Sequence, residues 1–78
     1  MKIDYFNRLK IMQVDIEKYL ENFYYDKDNR EKNMKEAKAW IESYLKEHDI
    51  DWNVTVRNNH FNFAVVLKTE LELTYFVK

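Results

Sequence analysis

The chain of 78 residues contains no glycine, no proline and no cysteine, and this triple absence constrains its fold more than any motif it carries. Glycine averages about 7% of a protein, which would be roughly five residues at this length. Without it, every turn that needs a positive φ must be made by a residue with a Cβ, at a steric cost that only asparagine and aspartate lessen. Glycine-rich phosphate loops and tight oxyanion turns are disfavoured for the same reason, since both bring backbone close to a ligand.

Residues 1–78 read as one domain, and a domain this small buries only about 60% of the surface that its unfolded chain exposes. Disulfides, a structural metal or association usually supplement so thin a core. Disulfides are excluded by composition. His48 and His60 are the only nitrogen ligands for zinc, and with Asp49 and Asp51 they match no metal-ligand spacing. No metal and no cofactor is expected, which leaves association with a second copy of the chain or with a permanent partner.

The formal net charge is -1. It is evenly spread, with residues 1–25 summing to zero, 26–50 to -1 and 51–78 to zero. Neither the basic face of a nucleic-acid binder nor the strongly acidic face of a nucleic-acid mimic is present overall. The longest run without a charged residue or histidine, residues 61–67, is too short to span a bilayer, and the N-terminus lacks a signal-peptide core. The expectation is a soluble cytoplasmic protein. Ten Lys and eight Asn against three Arg and three Ala follow the codon bias of an AT-rich genome, a composition common among small proteins of phages and mobile elements.

Residues 3–25 have helical periodicity, with Tyr5, Leu9, Met12, Ile16, Tyr19, Leu20 and Phe23 returning to one face. Ile3, Ile11, Val14 and Tyr25 fall on the far side, so a single packing partner would leave apolar surface in water. After a polar break at residues 26–29, Asp28 and Glu31 have the form of a capping box for a second helix over residues 29–48. Met34, Ala37, Ile41, Tyr44 and His48 share its core face, flanked by Trp40 and Leu45. Glu31, Lys35, Lys38, Glu42 and Lys46 form a solvated face. The short connection favours an antiparallel helical hairpin.

From Asp51 the period changes to two, with Trp52, Val54 and Val56 alternating with Asn53, Thr55 and Arg57. Asn58-Asn59 is the place for a two-residue type I′ turn in a glycine-free chain. That turn pairs Val56 with Phe61, Val54 with Phe63 and Trp52 with Val65. Apolar residues then continue at odd positions to Val77. A three-residue loop at residues 68–70 would pair Leu67 with Leu71 and Val65 with Leu73 in a third strand. The alternative is one long bent strand whose second half pairs with another protomer, and the meander is preferred because strands average five to six residues.

The expected architecture is α+β: a helical hairpin on one face of a small antiparallel sheet, in the order ααβββ, dimerising through the C-terminal strand or helix 1. Catalysis is poorly supported, because Ser43 is the only serine and neither histidine lies in a nucleophile or metal motif. The expected function is a non-enzymatic protein-binding module, a regulator or inhibitor encoded by a phage or mobile element and acting in the host cytoplasm. Its expected contacts are the apolar and flanking positions left outside the core: Val66, Thr74, Phe76 and Tyr25, then Ile11 and Val14. The expected partners are a second copy and another protein, not a membrane. The alternative is a nucleic-acid-binding regulator that uses Lys27, Arg30, Lys32, Lys35 and Lys38 of helix 2 with Arg57 of the hairpin's polar face.

Overall fold

The computed structural model describes residues 2–58 and 62–77, with side chains from Phe6 onward. Helix α1 spans Lys2–Leu20 and continues as a 3-10 turn over Glu21–Phe23; helix α2 spans Arg30–Glu47. Strands β1 (Asn53–Asn58), β2 (Phe63–Lys68) and β3 (Glu72–Phe76) form an antiparallel meander in that order. The two helices pack on one face of this three-stranded sheet, the expected ααβββ arrangement. The final strand folds back on β2, so the alternative of one long strand is not adopted.

The core joins Met12, Ile16 and Leu20 of α1 and Ala37, Ile41 and Leu45 of α2 to Phe63, Val65, Leu67, Tyr75 and Val77 of the sheet. The α1 periodicity therefore identified the buried stripe. On α2 the stripe is rotated from the expected one. Leu45 is buried at its centre and His48 is an exposed helix cap whose ring lies tilted against Tyr44, centroids 4.3 Å apart.

The capping box does not form. Asn29 occupies the N-cap without a side-chain cap bond, and its Nδ2 donates instead to the Asp26 carboxylate at 3.1 Å. One turn later, Asn33 is the only buried residue outside the hydrophobic and aromatic types among those described, and its Nδ2 donates to the Asp26 carbonyl at 3.1 Å. These two amides pin the connection between the helices. At the other end of α2 the missing glycine has a substitute. Asp49 has φ 56°, the only positive value among the described residues. Its N–H bonds to the Lys46 carbonyl at 3.3 Å, and Ile50 N–H bonds to Leu45 at 2.9 Å. This is a Schellman ending in which aspartate takes the left-handed position that glycine usually fills.

Both hairpin registers differ from those the alternation suggested. Val56 pairs with Val65, Val54 with Leu67 and Asn58 with Phe63, four residues displaced from the Asn58-Asn59 turn. Asn59, His60 and Phe61 lie outside the described residues, as do the side chains of Ile3 and Tyr5. On the other side Leu67 pairs with Leu73 and Val65 with Tyr75. The loop is Thr69 to Leu71, closed by a Thr69 N–H bond to the Leu71 carbonyl at 2.9 Å. Both displacements are even, so every side chain keeps its face.

The helices run antiparallel. Tyr19 stacks on Trp40 with ring centroids 3.9 Å apart, and the Tyr44 hydroxyl donates to Asp15 Oδ2 at 2.8 Å. With Asp15 beside Tyr44 and α2 ending at Glu47, roughly the first two turns of α1 overrun α2. The molecule is accordingly elongated, 43 × 21 × 18 Å.

Candidate interaction surfaces

The sheet has a covered and an uncovered face. Asn53, Thr55 and Arg57 of β1, Ala64 and Val66 of β2, and Thr74 and Phe76 of β3 point away from the helices, because their neighbours at alternate positions line the core. Thr74 and Phe76 are exposed there, Phe76 to 57%, and Ala64 separates Phe76 from Arg57 in register. Val66, expected as exposed contact surface, is only 3% exposed. Thr55 and Thr74 lie directly beside it, and Asn53, Arg57, Glu72 and Phe76 stand diagonally. On a central strand those neighbours close over a valine even without a second layer.

Tyr25 is 96% exposed in the helix connection. The adjacent Tyr24 borders a groove of about 270 Å³ shared with Glu17, Leu20, Thr74, Tyr75 and Phe76. The connection and the end of β3 thus meet at one end of the molecule. Ile11 and Val14 form a separate surface, 58% and 63% exposed on the outer side of α1. Phe6 and Leu71 are also exposed, at 62% and 64%, and neither was singled out from the sequence. The signal available for Phe6 is its helical phase, at the margin of the core stripe. Leu71 kept the odd-position alternation and became exposed only through the register of β3.

The basic residues do not converge. Lys27, Lys32, Lys35 and Lys38 are exposed around the start of α2, whereas Arg57 lies on the opposite side of the sheet. Arg30 is half-buried, and its guanidinium donates to the Asn62 carbonyl. Of the acid and base candidates, His48 and Asp49 open together on a groove with Arg8, Ile11 and Tyr44, and Asp49 also lines a neighbouring groove of about 400 Å³ with Asp51, Glu42 and Trp52; His60 lies outside the described residues. Among the described residues no group of three or more His, Asp or Glu side chains could hold a metal ion, and no helix is long and apolar enough to cross a membrane.

Three tyrosines titrate above the usual range. Burial, then the hydrogen bond and charge of Asp15, push Tyr44 up to about 12, and burial with Glu36 raises Tyr19. Burial and then the charge of Glu17 push Tyr75 up to about 12, and its buried hydroxyl has no hydrogen-bond partner among the described residues. The folded state holds this proton more tightly than the unfolded chain, whose tyrosines ionise near 10.0. The resulting stability is complete below that pH and is lost as the pH rises through about 12. Tyr75→Phe is expected to leave stability at neutral pH unchanged or slightly higher, and to remove part of the alkaline decline in denaturation midpoint. A loss above about 1 kcal/mol at pH 7 would show instead that the hydroxyl is bonded.

Compared with protein-family models, with curated proteins and with solved structures, the chain gives no significant match.

Proposed function

We propose that the protein is a non-catalytic binding module that engages another protein through β3 and the uncovered face beside it, and thereby regulates or inhibits that protein. The observation that carries this reading is the state of β3. It is an edge strand of five residues with Thr74 and the exposed Phe76 on the open face and Tyr24, the sequence neighbour of the exposed Tyr25, beside its end. An edge strand presents unpaired backbone N–H and C=O groups to which an extended segment of a partner can add, while an aromatic side chain beside it supplies a specific anchor. The AT-rich composition supports an origin in a phage or mobile element, where the partner is a host protein in the cytoplasm.

The test is affinity capture from host lysate with wild-type protein, Phe76→Glu and Val14→Glu in parallel. A partner retained by the wild type and by Val14→Glu, but reduced at least about tenfold by Phe76→Glu, is the expected result for a central aromatic anchor. Capture insensitive to Phe76→Glu would refute the β3 surface. Salt-sensitive binding to nucleic acid that is lost in Lys32→Glu with Lys35→Glu would favour the basic start of α2 instead.

A further inference from the structure

We propose that the outer face of α1 docks on the same face of a second copy of this chain, with the two helices antiparallel about a two-fold axis. The inference does not rest on the β3 reading, and the two surfaces meet only at the groove between α1 and the end of β3. It rests on the pattern Arg8, Lys10, Ile11, Val14, Asp15, Glu17. Read from its other end, this segment repeats itself with the signs of charge reversed: two cations precede the apolar pair and two carboxylates follow it at mirrored distances.

Helical geometry turns that pattern into a self-complementary surface. Seven residues make just under two turns, so Arg8 and Asp15 share one flank of α1 and Lys10 and Glu17 share the other, with Ile11 and Val14 between them. Two antiparallel copies related by a two-fold axis bring like flanks together. Arg8 then meets Asp15 of the second copy, Lys10 meets Glu17 of the second copy, and each contact occurs twice. Ile11 packs against Val14 of the second copy at the centre. A parallel arrangement would place each charge against its own like, so the pattern selects orientation as well as partner.

The tertiary structure leaves these groups available. Arg8, Lys10 and Glu17 are exposed, and Asp15 uses Oδ2 for Tyr44, leaving Oδ1 for a second donor. The same antiparallel arrangement, with Ile11 opposite Val14, carries Phe6 of one copy to the level of Tyr19 of the other, beside Leu20. There, the groove of about 270 Å³ between Leu20, Tyr24 and Tyr75 can receive a phenyl ring. Two features without a role inside one protomer, an overrunning helix end with an exposed Phe and an open groove at the far end of the same helix, are thus matched.

Sedimentation equilibrium on the full chain, over a micromolar-to-millimolar series, tests the arrangement. The wild type should show a reversible monomer-dimer equilibrium that Val14→Glu abolishes. Lys10→Glu and Glu17→Lys should each raise the dissociation constant at least about tenfold, because each sets like charges together at both symmetry-related contacts. Mixing these two variants should restore a heterodimer of near wild-type strength. Should either melt early, the double variant Lys10→Glu with Glu17→Lys, which exchanges the signs within one chain, carries the same test. Thr55→Glu, on the uncovered sheet face and outside that groove, should leave the equilibrium unchanged, and Val14→Glu, which abolishes the dimer, leaves capture through β3 intact, so the two surfaces are read separately. A wild type that stays monomeric, a dimer indifferent to Lys10→Glu, or a dimer dissociated by Thr55→Glu would overturn the proposal.

Discussion

Leu67→Ala should destabilise the protein by about 3 kcal/mol, within the range of large-to-small changes at fully buried sites. Leu67 is 0% exposed on the central strand, paired with Val54 on one side and Leu73 on the other, beneath the helices. The alanine would leave a cavity that three packed elements cannot close together. A chain of this length holds roughly 4–12 kcal/mol in total, so the loss should appear as a fall of about 15 °C in Tm or more. Leu71→Ala is the matched control. It stands at the position that simple alternation pairs with Leu67, yet it is 64% exposed, and its replacement should change stability by less than about 0.5 kcal/mol. Urea denaturation followed by circular dichroism separates the two outcomes, and equal effects would mean that β3 sits in the other register.

Trp40→Ala should be the second most damaging change, at about 2–3 kcal/mol, less than for a fully buried tryptophan because Trp40 is half-buried. Its ring holds the outer seam between the helices, stacked at 3.9 Å on Tyr19 and at 5.3 Å on Tyr44. Tyr19 in turn meets Phe23 edge-on at 5.3 Å, so the seam continues into the core. Trp40→Phe keeps an apolar ring in place and should cost less than about 1.5 kcal/mol. Denaturation midpoints and the rate of proteolysis within α1 give two readouts. If alanine and phenylalanine cost the same, the aromatic contacts do not hold α1 to α2.

The surfaces were legible in the sequence to different degrees. Thr74 and Phe76 were placed outside the core by strand parity, and Ile11 and Val14 by helical phase; all four are exposed. Val66 shares the parity of Thr74 and is nevertheless buried, because exposure on a central strand depends on the side chains of both flanking strands. Arg30 counted among the basic residues until the fold brought the Asn62 carbonyl to it. Asn33 carried no sequence signal as a buried residue, and its burial depends on the Asp26 carbonyl that it satisfies.

Periodicity alone determined that two amphipathic helices precede three strands, which residues of α1 face inward, and which face each strand residue takes, because side-chain direction follows local backbone geometry. The missing glycines also narrowed which residues could take a left-handed turn, and the one described example is Asp49 at the end of α2. Tertiary structure decided the rest: both strand registers, the rotation of α2 that buries Leu45 and exposes His48, and the overrun of α1. A register moved by two or four residues preserves every in/out assignment, so alternation cannot distinguish the alternatives. What distinguishes them is three-dimensional. Phe63 must reach Phe23, at 6.1 Å between rings, and Leu67 must fall beneath both helices, and those distances exist only once the elements are packed together.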